Sequence, residues 1–359
     1  MLLTVILCDP PPALLIMNIT CNNITGKTLD NWNRFLENHP ENTVFQSPEM
    51  FAFYQKVNNF TPYVFIAENE QKEITGVLLA VLIKEGKGIK GYFSSRAVIY
   101  GGPLIQKNNN AGVLNGLLSA LVKKLKNKTI FIQFRNFFQW NDDEKQIFQS
   151  HGFTFRDRLN LLVDTSSENA FWKGLSESRK RQLKKGLKNK EIKITDPFNE
   201  GEVREFYQLL YKLYKIKIKK PLPDFSFFQA FYGASKAGHL GIIRLVKVND
   251  RIVGGILSPV TPGKNIYEWY ITGLDKEYKN YFPSIMATWA SIDYALHNKL
   301  EYFDFMGLGV PYKKYGVRDF KLKFGGEQVN FGRFARRNNK KFYLFAEFGY
   351  NIFRFFKLV

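Results

Sequence analysis

The chain has 359 residues, 45% of them hydrophobic and 16% aromatic, enough apolar material for two domains of ordinary size and too much for a disordered polyelectrolyte. Lysine and arginine total 52 against 32 acidic residues, a net charge of +20, which favours polyanionic partners such as RNA, anionic lipid headgroups or phosphorylated substrates. Two cysteines, Cys8 and Cys21, exclude a disulfide framework and a cysteine-based metal site, so a reducing cytoplasm is the expected setting.

Residues 1–17 are apolar and broken by Pro10-Pro11-Pro12, without the basic start or cleavage site of a secretory signal. They are expected to form a disordered extension, with Met17 a candidate start. Two β-rich runs, 63–67 and 74–80, flank a polar turn and predict an antiparallel hairpin. The longest apolar run, 74–83, is too short to span a bilayer. A third strand follows near 97–100, then a helix-period segment at 112–126 and a short strand at 129–134. The polar run 164–169 marks a join and supplies caps for a helix entering at Ala170. Helical patterns over 178–190, 202–218 and 225–236 are separated by Pro197, Pro221 and Pro223. The earlier order then returns: a hairpin over 241–246 and 252–257 with its turn at Asn249-Asp250, a β-rich run at 266–272, a helix over 282–298 and a strand at 302–305. Hairpin, strand, helix, strand is the order of a mixed α/β acyltransferase core, and it occurs twice. The expected division is a first domain over 18–166, a second over 167–335 and a basic, aromatic helix over 336–359.

Several catalytic signatures are missing, among them G-x-S-x-G, H-E-x-x-H and C-x-x-C. The four histidines stand apart from one another, and no metal site is expected. The strongest charge feature is 179–190, with seven cations and no acid. As a helix it would dock through Leu183 and Leu187 and leave a basic circumference for phosphates. The block Asp319-Phe320-Lys321-Leu322-Lys323-Phe324-Gly325-Gly326 can set an ammonium beside an apolar wall, an arrangement suited to an acyl carbonyl gaining negative charge. As an amphipathic strand it would carry Lys321 and Lys323 on one face.

Phe171-Trp172-Lys173-Gly174-Leu175, the basic helix after it, Glu277-Tyr278 to Pro283, Trp289 and Ala295, Phe303-Asp304-Phe305 and the closing Phe320 to Gly326 block follow one another in a family order. With Gln46-Ser47 and 51–56, they resemble the Fem-type aminoacyltransferases, tRNA-dependent enzymes that add amino acids to peptidoglycan precursors. The resemblance runs from about Thr43 to Phe334. It implies an α/β fold with mixed sheets, a tandem duplication of two acetyltransferase-like (GNAT-like) domains, of the compact type without an inserted helical arm. Tyr100-Gly101-Gly102-Pro103 is similar to the family's Gly-Pro turn, but Leu104-Ile105-Gln106 follow where an acid is usual, so no acidic base is expected there.

The activity implied is transfer of an amino acid from aminoacyl-tRNA to an amine of a nucleotide- or lipid-linked peptidoglycan precursor, without a cofactor and without a role for DNA. Lys321 is then the cation at the oxyanion and Phe320 the apolar wall. Lys56, Arg179 and Arg181 bind precursor phosphates, Tyr270 and Tyr315 line the acceptor cleft, and Lys184, Lys185 and Lys188 face tRNA. The expected location is the cytoplasm, with peripheral contact at the inner face of the membrane. One alternative is a coenzyme A-dependent N-acyltransferase acting on a sugar or amine of an envelope polymer. It needs a glycine-rich turn of backbone donors, whereas 279–284 has no glycine and includes Pro283, and 106–112 is equally poor. A second alternative is a non-catalytic RNA- or membrane-associated protein. Phe342, Phe345, Ile352, Phe353 and Phe356 recur at helical spacing beside Arg354 and Lys357, a pattern for a membrane interface or for a last helix packed on the second domain.

Overall fold

A computed structural model describes residues 18–86, 88–106, 110–313, 316–339 and 342–343. The chain opens with β1 (Asn18–Cys21), α1 (Gly26–Glu37), a 3-10 turn at Val44–Gln46 and α2 (Pro48–Gln55). Thr25 and Ser47 cap these helices, their hydroxyls accepting from the Thr28 and Met50 amides that have no partner within the helix. β2 (Phe60–Glu68) and β3 (Ile74–Ile83) make the expected hairpin, and α3 (Gly88–Phe93), β4 (Arg96–Tyr100), β5 (Leu104–Ile105), α4 (Asn110–Leu125), β6 (Phe131–Arg135), α5 (Asp142–Ser150) and β7 (Thr154–Arg156) follow.

The second half runs β8 (Asn160–Asp164), α6 (Glu168–Gly174), α7 (Glu177–Lys188), β9 (Ile192–Thr195), α8 (Glu200–Leu213), a π turn at Tyr214–Ile218 and α9 (Phe225–Lys236). Its hairpin is β10 (Gly241–Val248) with β11 (Arg251–Thr261), continued by β12 (Asn265–Tyr267), β13 (Tyr270–Gly273), α10 (Pro283–His297), β14 (Tyr302–Asp304), α11 (Gly316–Leu322), β15 (Glu327–Val329) and β16 (Arg333–Arg337). The predicted repeat is therefore present. Each half has a hairpin, a third strand, a helix and a strand that pairs parallel with the third: β4 with β6 and β12 with β14.

The sheets run β1-β2-β3-β4-β6-β16-β7, with β5 on β3, and β15-β8-β14-β12-β11-β10-β9, with β13 on β11. The two halves exchange strands across the expected join at 166–167. β8, numbered with the first domain, pairs with β14 and β15 of the second sheet. β16 returns to lie between β6 and β7 of the first. Burial explains the return: Phe334 is fully buried and its ring stacks on Phe148 with centroids 3.9 Å apart. Residues 336–337 are thus strand where a helix was expected. Phe342 packs against Tyr92 and Phe93, and Tyr343 against Phe131, so the segment after β16 starts on the first domain and not the second. Phe345, Ile352, Phe353, Arg354, Phe356 and Lys357 lie outside the described residues, as does 1–17.

One core fills the α4 and α5 side of the first sheet, and another lies between α10 and the second sheet. The third crosses between domains, joining Phe45, Phe53 and Tyr100 to Phe227, Phe231 and Tyr267. Among the described residues no helix is long and apolar enough to cross a membrane.

Candidate functional site

In each half the third strand parts from a neighbour and a side chain fills the gap. In the first domain the filler is neutral. Gln46 is fully buried, donates through Nε2 to Leu79 O and Tyr100 O at 3.2 and 2.8 Å, and accepts from Leu79 N at 2.7 Å. In the second domain it is charged. β12 runs beside β14 as far as Tyr267 and Asp304; β13 then follows β11 while Phe305 N turns to Leu161 O. Lys321 occupies this opening, with Nζ 2.8 Å from Glu268 Oε1, 2.8 Å from Phe305 O and 3.1 Å from Gly307 O. An ammonium has three protons to donate, and all three are used. Its charge also lies 5.0 Å from the Phe305 ring centroid.

The acids around it are strained towards neutrality. Burial raises the Glu268 carboxyl above its usual range, opposed by Lys321, and Glu268 Oε2 has no hydrogen-bond partner. Asp304 accepts from Asn160 Nδ2 at 2.8 Å and from Met306 N, yet burial still pushes it up to about 6. Because that value stands above the ordinary 3.8, the associated stability is fully present below about pH 3.8 and is lost as pH rises through about 6. Asp304→Asn keeps an oxygen for Asn160 and Met306 and is expected to raise stability above pH ~7 by about 2 kcal/mol, flattening the pH profile. Urea melts across pH test this; superimposable profiles for variant and parent would disprove it.

The closing block is helix and turn, not strand. Lys321 lies in the last turn of α11, and Lys323, beyond its end, is exposed. The shared-face expectation therefore fails: the helix turns Lys321 inward and Lys323 out. Phe320 is half-buried, its ring 5.6 Å from that of Phe324.

Arg179 also departs from expectation. It is 1% exposed, with its guanidinium 4.5 and 4.3 Å from the Phe320 and Phe324 ring centroids and Nη2 donating to Phe320 O at 2.9 Å. Burial pulls its pKa down to about 10. It ties α7 to α11 and presents no fork to a phosphate. Leu187, expected to dock α7, is 45% exposed; Arg179, Leu183 and Gly186 face inward instead. Gly186 is small because a Cβ there would lie 2.5 Å from Met286 Sδ of α10. Arg181, Lys184, Lys185 and Lys188 remain exposed as a basic face.

Lys56 is exposed at the end of α2, in the first domain. Tyr270 belongs to the interdomain seam, its ring 5.4 Å from those of Phe227 and Phe228 and 5.9 Å from Trp269. Tyr315 lies outside the described residues. The structure thus brings Arg179, Phe320 and Lys321 together, and adds Glu268, Asp304 and Asn160, to which the sequence reading gave no role. The signal for Glu268 was an acid inside Tyr267-Glu268-Trp269-Tyr270, an otherwise aromatic run in a strand pattern.

At α10 the helix N-terminus is already occupied by a carboxylate. Asp275 accepts from Ser284 N at 2.9 Å and from Ser284 Oγ at 2.5 Å, and Pro283 contributes no N–H.

Residues 176–314 match the family described as the Acetyltransferase (GNAT) domain. The chain matches no curated protein by sequence. In structure it is similar to FemX, with a TM-score of 0.68 at 15% identity over 91% of this chain and 99% of that one. It is also similar to L-PGS from Bacillus licheniformis, at 0.54 and 14% over 90% and 96%. A tandem GNAT protein from the clavulanic acid biosynthesis pathway gives 0.56 and 8% over 90% and 99%. At these identities the likeness is one of fold: two GNAT-like domains in tandem, as in FemX, with the GNAT-domain match falling in the second half.

Proposed function

We propose that this protein is an aminoacyltransferase that moves an amino acid from aminoacyl-tRNA to an amine of a peptidoglycan precursor, with no cofactor. The observation that carries the reading is the buried Glu268–Lys321 pair wedged where β12 and β14 part, beside the ring of Phe305, which Phe324 contacts in turn. An aminoacyl ester is already activated, so its transfer needs a positioned and deprotonated amine and a stabilised oxyanion, with no covalent enzyme intermediate. The amine attacks the ester carbonyl, and the oxyanion accepts a hydrogen bond from the Lys321 N–H now directed at Gly307 O, the longest of its three contacts, while Lys321 keeps its proton. Glu268, whose Oε2 is unpartnered, receives the proton that the amine loses. Collapse breaks the ester C–O bond, and the departing ribose hydroxyl takes that proton up. The protein works in the cytoplasm, at the inner face of the membrane when its precursor is lipid-linked.

The tRNA partner is assigned to the exposed face of α7. Replacing Lys184, Lys185 and Lys188 with glutamine is expected to weaken tRNA binding and reduce the slope of log K against log salt by about 2. Filter binding at several salt concentrations reads this; a folded triple variant with the parental slope would move tRNA off α7.

The match to a GNAT domain favours coenzyme A as a second reading of the donor. Against it stands Asp275, a carboxylate where a pyrophosphate would need the α10 amides. Calorimetric titration with acetyl-CoA is expected to give no saturable heat at sub-millimolar concentrations. A stoichiometric micromolar isotherm would promote that donor over tRNA.

A further inference from the structure

Across four strands of the first sheet, one row of side chains carries charge of a single sign. Tyr100 of β4 is in register with Arg135 of β6, Arg135 with Arg333 of β16, and Arg333 with Arg156 of β7. Residues paired across strands share a face, and the alternate residues Ile132, Phe134 and Phe334 fill the core on the other side. Arg135 and Arg333 are half-buried and Arg156 is exposed. Like charges directly opposite one another in a sheet are destabilising.

Among the described residues no salt bridge involves Arg135, Arg156 or Arg333. The groups acting on the Arg333 guanidinium are Arg135 and Arg158, which disfavour its charge, and the Tyr100 phenol; no carboxylate is among them. Burial first, then Arg135 and Arg158, bring Arg333 down to about 9 against the opposing Tyr100 phenol, so it remains a cation at neutral pH. Arg135 is oriented by its bond to Tyr100 Oη at 2.9 Å and lies 4.8 Å from the Tyr100 ring centroid.

We propose that the row Tyr100, Arg135, Arg333 and Arg156 is an anion site for a phosphate or diphosphate ester. Strands lie about 4.8 Å apart, so one diphosphate reaches two neighbouring guanidinium forks, each able to bond two oxygens. A single carboxylate would leave most of the row's charge unbalanced. The inner end of the row is half-buried, which suits a compact ester better than a nucleic-acid strand; the exposed lysines of α7 suit the latter. The row starts at Tyr100, whose ring lies 5.9 Å from Trp269, the neighbour of Glu268. An anionic ester held there points its far end at the domain seam. That last consequence rests on the acyl-transfer reading; binding of the anion does not.

The test is calorimetric titration of the full chain with inorganic pyrophosphate at constant ionic strength. The parent and the Lys184, Lys185, Lys188 triple variant are expected to bind one equivalent with equal affinity, and Arg333→Gln about tenfold or more weakly. Without ligand, Arg333→Gln is expected to melt no lower than the parent, because it removes repulsion. Arg156→Gln, at the exposed end, supplies an independent variant with the same direction of effect on binding. A nucleoside-diphosphate sugar in solution and vesicles carrying a polyprenyl diphosphate separate soluble from lipid-borne sources, and Arg333-dependent binding of either supports the site. Absence of saturable binding by the parent, parental affinity in both variants, or loss of binding to a short RNA with pyrophosphate binding intact would overturn it. Since only binding is measured, such a failure leaves the proposed acyl transfer standing.

Discussion

Lys321→Met is expected to lower kcat by about 10²-fold or more while KM changes little. A cation aimed at the oxyanion acts mostly in the transition state, whereas loss of a ground-state phosphate contact would raise KM and spare kcat. The variant also strips Glu268 of the partner at 2.8 Å, and an unpaired buried charge costs about 3–5 kcal/mol unless the group takes up a proton. Glu268 is already biased towards its neutral form by burial, so part of that cost is avoided by protonation. The double variant Glu268→Gln with Lys321→Met removes both charges and should recover stability without recovering turnover. Lys323→Met is the control, since Lys323 is exposed two residues away and should keep nearly parental rates. Single-turnover transfer from charged tRNA, run on variants whose melting is measured in parallel, separates the two effects. A folded Lys321→Met enzyme with parental kcat, or a large loss confined to Lys323→Met, would remove Lys321 from the chemistry.

The tandem architecture was legible because each hairpin carries its own signal. The runs at 63–67 and 74–80 are β-rich across a polar turn, and 241–246 and 252–257 repeat that pattern around Asn249-Asp250, both of which take positive φ. The exchange of β8 and β16 was not legible. A five-residue strand encodes which of its faces is buried but not which sheet receives it, and 160–164 lies on the first domain's side of the expected join at 166–167. The inward stripe of α7 was half visible. Arg179, Leu183 and Gly186 follow the i, i+4, i+7 spacing of a buried face, but an arginine in a run of cations and a glycine in a helix do not register as core residues. The closing block misled through alternation: Phe320, Lys321, Leu322 and Lys323 fit a strand period of two over four residues, too short a stretch to exclude a helical turn. The ion pair at Lys321 joins residues 53 positions apart in sequence, from Glu268 to Lys321, and no local pattern announces such a contact.

Gly325→Ala is expected to destabilise the protein by about 3–5 kcal/mol, combining backbone strain with a clash. Gly325 sits at φ +75, and a Cβ there would lie 2.3 Å from Gly174 O; Gly326, at φ +94, would place one 2.4 Å from Leu162 O. Both obstacles are backbone atoms, which cannot rotate aside as a side-chain end could. The turn matters for the site because it ends α11 immediately after Lys321, through Phe324 N to Lys321 O at 2.9 Å and Gly325 N to Leu322 O at 3.0 Å. It then delivers the chain to β15, alongside β8. Gly233→Ala in α9 is the contrast: its φ is not positive and a Cβ meets nothing within 4 Å, so it should stabilise by up to about 1 kcal/mol. Urea midpoints at unchanged slope measure both. If Gly325→Ala unfolds at the parental midpoint, the turn can yield, and the glycine pair would have to be explained by contact with substrate. If it unfolds early while Gly233→Ala does not, the two glycines are there because only a residue without a side chain lets α11 stop where Lys321 can reach Glu268.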